Sequence, residues 1–212
     1  MRRLRFALPK GRLLEPSLRM LRACGIGAPC PDHTDGSALI DRSGPIDWIF
    51  VRDADICAYV DDGAADIGIV GSDQIEECSS RAYQPVELDF GRCTLDMIGR
   101  DLIPPDGTAS IRMASKYPKI ASAWAAAEKL DATVIELSGS VELALVLGLT
   151  DYVIDIVETG RTLRQHGLVS IRTLMNVRAM LLVNQQAWRT RSADVQPIVR
   201  TIDAVVRTEV GS

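Results

Sequence analysis

The chain has 212 residues, 47% of them apolar, and carries 24 Lys and Arg against 28 Asp and Glu, a formal charge of −4. This composition supports a packed core with no disordered tract and excludes a broad nucleic-acid-binding face, so an anionic ligand must be held by local cations and backbone amides. Five cysteines (Cys24, Cys30, Cys57, Cys78, Cys93) contain no C-x-x-C pair, which argues against a disulfide framework or structural zinc, and the N-terminal apolar run is too short for a signal peptide or membrane span, so a soluble cytosolic protein is expected.

Strands and helices alternate from the start. LRFAL has strand character, and PSLRMLRACG follows as a helix with Leu14, Leu18 and Leu21 on one face and Gly25 as its stop. IDWIFV is a second strand; Asp53 is placed to cap a helix carrying Ile56 and Val60, which Gly63 ends. IGIV reads as a buried strand, VELDF and TLDMIG as extended pieces flanking Gly91, and SIRMA as another strand. YPKIASAWAAAEKL predicts a helix facing inward through Ile120, Trp124 and Ala127. TVIEL and VELALVLGL repeat the strand–helix step, and DYVIDIV followed by TLRQHG repeats it again, with YVIDIV reading as an interior parallel strand. IRTLMNVRAMLLVN and a last helix with Val195, Val199, Ile202 and Val206 in a stripe complete an α/β pattern with parallel sheets.

Four predicted strands run directly into Gly-bearing polar turns: Pro9-Lys10-Gly11-Arg12, Gly71-Ser72-Asp73, Ser138-Gly139-Ser140 and Glu158-Thr159-Gly160-Arg161-Thr162. Any one of them is accounted for by βα turn geometry alone. Together, two of them basic, they point to an anion at the carboxyl ends of the strands, where helix-start amides lack intrahelical partners. No G-x-x-x-x-G-K-[ST] or G-x-G-x-x-G signature occurs.

IVETGRTLRQHGL resembles the phosphoribosyl-pyrophosphate (PRPP) loop of the ATP phosphoribosyltransferases, and LPKGRLLEPSL, DDGAADIGIVGSDQI, ASKYP and LSGSVELALVLGL resemble segments of that family in the same order. The resemblance covers nearly the whole chain. It implies a two-domain α/β fold like that of periplasmic solute-binding proteins, with mainly parallel sheets and an active-site cleft between domains. The division expected is residues 1–91 plus 177–212 as a discontinuous first domain and 92–176 as a second carrying the PRPP loop. The chain ends before the C-terminal regulatory domain of the family's long form, so it resembles the short form. That form works with a regulatory subunit resembling histidyl-tRNA synthetase; a homodimer is expected for the chain alone, with no nucleic-acid or membrane partner.

The implied reaction is attack of adenine N1 of ATP on the anomeric carbon of PRPP, releasing pyrophosphate in the first step of histidine biosynthesis. Such chemistry asks for carboxylates near a ribose that becomes cationic and for cations near the leaving group. The resemblance assigns the first role to Asp155 and Glu158, and the 5-phosphate to Thr159, Gly160, Arg161, Thr162 and Leu163. ATP or pyrophosphate falls to Lys10, Gly11, Arg12, Arg52, Gly71, Asp73, Ser138, Gly139 and Ser140, with Arg52 also counted as catalytic at the leaving group. Asp73 either caps the helix after GSD or meets the ligand. Lys116 and Tyr117 are assigned to a helix start, and His33 and His166 form no catalytic pair. Mg²⁺ is expected as cofactor, held mainly by substrate phosphates with no dedicated protein cage. Gly36-Ser37-Ala38 and Ser72 stand where short-form relatives often carry Arg and Lys. The alternatives are a paralogous purine phosphoribosyltransferase and a non-catalytic protein that binds a phosphorylated ligand.

Overall fold

A computed structural model describes residues 2–27 and 39–210; Cys30, His33 and Gly36-Ser37-Ala38 lie outside the described residues. The chain divides into two compact units, Met1–Gly91 with Arg178–Ser212, and Arg92–Val177. Val177 pairs with Cys93 and falls in the second unit, one residue beyond the boundary drawn from the sequence.

The first unit runs β1 (Leu4–Pro9), α1 (Leu14–Ala23), β2 (Ile40–Asp41), β3 (Ile46–Val51), α2 (Asp53–Asp61), β4 (Ile67–Gly71), α3 (Ser72–Cys78) and β5 (Tyr83–Glu87). The second comprises β6 (Cys93–Gly99), β7 (Ile111–Ser115), α4 (Pro118–Ala127), β8 (Ala132–Glu136), α5 (Glu142–Val146), β9 (Tyr152–Val157), α6 (Arg161–Gln165) and β10 (Val169–Val177). β11 (Ala179–Val183), α7 (Gln185–Thr190) and α8 (Ser192–Val210) then return to the first unit.

The first unit's sheet has the order β2-β3-β1-β4-β11-β5, with β3, β1 and β4 mutually parallel and β2, β11 and β5 added antiparallel. Its strands alternate two apolar faces, which is why they read as near-continuous hydrophobic runs. Phe6, Leu8, Trp48, Phe50 and Ile69 join α1 and α8 on one side, while Ala7, Ile49 and Val70 meet Ile56, Cys57 and Val60 of α2 on the other. The stripe Val195, Val199, Ile202 and Val206 is buried as its spacing requires; full burial of such side chains is worth about 1.5–3 kcal/mol each. Asp66, also buried, is held by Arg2 at 2.8 Å and Arg191 at 2.9 Å.

The second unit's sheet has the order β10-β6-β9-β7-β8; β9, β7 and β8 are parallel, β6 pairs antiparallel with β9, and β10 pairs antiparallel with β6. β9 is interior, as expected, but parallel only to β7, because β6 approaches its other edge from the opposite direction. The α4 face also differs: Ala121 and Ala125 are buried, Ile120 and Trp124 half-buried, and Ala127 exposed. Small alanines let the helix lie close to the sheet and leave the larger residues at its margin. Asp53 is the first residue of α2 and not its cap, which is Arg52; the Asp53 carboxylate accepts from the Ala54 N–H at 2.9 Å. β2 and α7 carried too few periodic residues to be legible in the sequence. No described helix is long and apolar enough to cross a membrane.

Candidate active site

In the first unit the parallel strands β3, β1 and β4 end at Val51, Pro9 and Gly71, so the turns that follow them share one edge of the sheet. Lys10 N–H donates to Val51 O at 2.8 Å, and the Leu14 N–H closes on Gly11 O at 3.1 Å before α1 begins. Arg12 reaches the Gly91 carbonyl at 3.2 Å. Arg52 is exposed and its Nε lies 3.2 Å from Asp55 Oδ2, within its own helix start. Gly71 caps α3, and the buried Asp73 side chain folds back over it so closely that any Cβ at position 71 would collide with the carboxylate. That contact explains the Gly-Ser-Asp spacing. Ser72 N–H donates to Arg178 O at 2.8 Å, and Arg178 N–H returns to Ser72 Oγ at 3.2 Å. A guanidinium thus belongs to the residue beside Ser72, where the sequence showed no cation; it pairs with Glu87.

In the second unit β9, β7 and β8 end at Val157, Ser115 and Glu136, which brings the Glu158–Arg161 turn, Lys116-Tyr117 and Ser138-Gly139-Ser140 to one edge. Asp155 is two residues from the end of β9, and its side chain is 16% exposed. Lys116 Nζ approaches its Oδ2 to 3.5 Å. Ser115 makes this possible: its buried hydroxyl donates to Ile154 O at 2.8 Å and accepts the Tyr117 N–H at 2.9 Å, fixing the turn that carries Lys116 beside β9. Lys116 is therefore more than a helix start, and only the pairing of β7 with β9 reveals it.

The loop after Asp155 turns through Gly160. Gly160 adopts φ +64° and ψ 12° as the cap of the five-residue α6, a left-handed conformation that L side chains resist. Arg164 braces the loop by donating to Thr159 O at 3.0 Å, and the Arg161 N–H points to Thr159 Oγ1 at 3.4 Å. Glu158, Thr159, Arg161 and Thr162 are exposed, whereas Leu163 is buried among Val141, Ala144 and Val153 and anchors the loop to the sheet. Ser138, Gly139 and Ser140 are also exposed, and Ser140 O accepts the Leu143 N–H at 3.1 Å. His166 caps the C-terminal end of α6, and His33 lies outside the described residues.

Burial pushes the Asp155 carboxyl above the usual carboxylate range; Lys116 and the Ile156 N–H, which donates at 2.8 Å, pull against that rise, and Glu142 adds to it. A carboxylate in such a setting is costly in the free protein and gains most when positive charge develops beside it.

The family model described as ATP phosphoribosyltransferase (HisG) matches residues 52–204. The ATP phosphoribosyltransferase of Thermococcus gammatolerans is 40% identical over 206 residues, covering 96% of this chain and 98% of the relative. The ATP phosphoribosyl transferase (HisG:HisZ) complex from Thermotoga maritima contains a chain that superposes with a TM-score of 0.82 at 29% identity, covering 97% of this chain and 99% of that one. A periplasmic His/Glu/Gln/Arg/opine family-binding protein from Silicibacter pomeroyi, in complex with lysine, shares the fold at a TM-score of 0.60 and 12% identity, over 97% of this chain and 89% of its own.

Proposed function

The chain belongs to the ATP phosphoribosyltransferase family, which opens histidine biosynthesis, and from that premise we propose how its residues divide the transfer of a phosphoribosyl group to ATP. The observation that carries the proposal is the Asp155–Lys116 pair at the strand edge that also bears the Gly160 loop. Thr159 to Leu163 hold the 5-phosphate of PRPP through backbone amides and hydroxyls, with Gly160 supplying the turn and Arg161 a cation. Asp155 and Glu158 accept hydrogen bonds from the ribose hydroxyls and stabilise the ring as its anomeric carbon becomes cationic. N1 of adenine already has a lone pair, so the residues need to orient it and need no strong base.

Lys10, Gly11, Arg12, Arg52, Gly71 and Asp73 are assigned to ATP or the departing pyrophosphate, with Ser138, Gly139 and Ser140 contributing on the second unit. Arg52 would exchange its exposed contact with Asp55 for phosphate oxygens. Among the described residues no group of three or more His, Cys, Asp or Glu is arranged to hold a metal ion. Mg²⁺ is proposed as a cofactor carried on substrate phosphates, with Asp155 and Glu158 as the carboxylates of the PRPP set; when bound, the ion would neutralise charge on the leaving pyrophosphate.

The Thermotoga maritima chain is described as part of a HisG:HisZ complex, and an equivalent regulatory partner is proposed for this chain, which alone forms a homodimer. A cytoplasmic location is proposed with these substrates. Incubation with ATP, PRPP and Mg²⁺ should release pyrophosphate together with a new adenine chromophore, and Glu158→Gln should slow that release. Addition of the cognate regulatory subunit should raise the initial rate and make it sensitive to histidine. Ligand binding without pyrophosphate release, with or without the partner, would instead mark a non-catalytic binding protein.

A further inference from the structure

Asp96 on β6 stands directly opposite Asp155 on β9 in the antiparallel register. Such partners project to the same face with Cβ atoms about 5 Å apart. That face is the one on which Ile98 and Val153, two positions along the register, pack with Val141 and Leu163. On one side of the two acids, Lys116 reaches Asp155 at 3.5 Å; on the other, Ser170 of β10 donates from Oγ to Asp96 Oδ2 at 2.5 Å. A polar row, Ser170, Asp96, Asp155, Lys116, therefore crosses β10, β6 and β9 and reaches the turn just after β7.

Asp96 is 4% exposed, and its Oδ1 is buried with no hydrogen-bond donor. Packing alone does not favour this arrangement. Like charges directly opposite one another destabilise a strand pair, and an unsatisfied buried acceptor costs more. A conflict of this kind next to a reacting group is a mark of function.

We propose that Asp96 is a positioning residue that acts through Asp155. Tethered by Ser170, its carboxylate keeps Asp155 turned toward Lys116 and the sugar. The inference rests on the assignment of Asp155 to the ribose.

Asp96→Asn keeps the side-chain volume and an acceptor for Ser170 while deleting the charge. It should lower kcat about five- to tenfold and leave the KM for PRPP within about twofold, since the orientation of Asp155 matters most in the transition state. In an Asp155→Asn background the same substitution should change kcat less than about twofold, because the residue through which it acts is already neutral. An Asp96→Asn enzyme with wild-type kcat, or one slowed equally in both backgrounds, overturns the inference. If Asp96→Asn does not fold, Ser170→Ala takes its place: it should lower kcat at constant KM, and unchanged turnover overturns the inference equally. Asp155→Asn tested alone keeps the two levels apart. Wild-type turnover in that variant overturns the assignment of Asp155 and the inference with it, whereas slow turnover there beside an unaffected Asp96→Asn overturns the inference only.

Discussion

Lys116 Nζ lies 3.5 Å from Oδ2 of Asp155, although 39 residues of chain separate them, because the ends of β7 and β9 run side by side. The pair is uneven: burial raises the Asp155 pKa more than Lys116 lowers it. For a carboxyl whose folded pKa is above its unfolded value, the native state binds more protons between the two values. Stability is then greatest below the unfolded pKa and falls as pH rises through the folded one. Asp155→Asn should therefore melt higher than wild type at neutral pH, with the difference shrinking as pH falls toward about 4 and gone below it. Turnover should fall at the same time. Thermal melts from pH 3 to 7 test the sign; a neutral-pH melting point below wild type would show that the ion pair outweighs burial.

Removing the cation should act on the same carboxyl in the opposite sense. With Lys116→Met, Asp155 keeps its burial and the Glu142 field but loses the charge that lowers its pKa. The acid limb of kcat/KM for PRPP should shift to higher pH, with most of the loss below neutrality. A profile superimposable on wild type would separate Lys116 from Asp155 in the working enzyme.

Gly160→Val should weaken PRPP binding at least tenfold. The native φ of +64° is unfavourable for an L residue by about 1–2 kcal/mol and worse for a β-branched one, and a Cβ there would stand 3.2 Å from the Arg164 guanidinium that braces the loop. The melting point should drop by only about 2–6 °C, since α6 is a surface turn. Calorimetric titration with PRPP on the folded variant measures it; native affinity would detach the loop from the phosphate.

Gly71→Ala should be more damaging to the fold, because its methyl would occupy the space of the buried Asp73 carboxylate. A loss of about 1–3 kcal/mol is expected, as for other overpacked sites, along with weaker ATP binding. Gly71→Ala combined with Asp73→Ala should recover part of the stability but none of the ATP affinity. Chemical denaturation of the single and double variants gives the coupling, and strict additivity would count against the collision.

The elements around the Gly160 loop are legible in the sequence. DYVIDIV is apolar on both faces because β9 is covered on both, and the Gly in ETGR is needed because the backbone turns left-handed there. The stripe on α8 and the strand–turn–helix rhythm were legible for the same reason: each depends on residues a few positions apart, where periodicity and turn chemistry operate. Asp53 and Ala127 mark the limit of such local signals, since neither a capping residue nor an alanine-rich face fixes its own helix boundary or orientation. Which distant side chains meet depends on the pairing of the strands. Lys116 becomes a partner of Asp155 through the register of β7 with β9, Asp96 through that of β6 with β9, and Arg178 a neighbour of Ser72 through the pairing of β11 with β4. Strand pairing is non-local: the order of strands across a sheet and the alignment of each pair are set by how whole faces bury, and a shift of one residue would turn Asp96 or Asp155 to the opposite face.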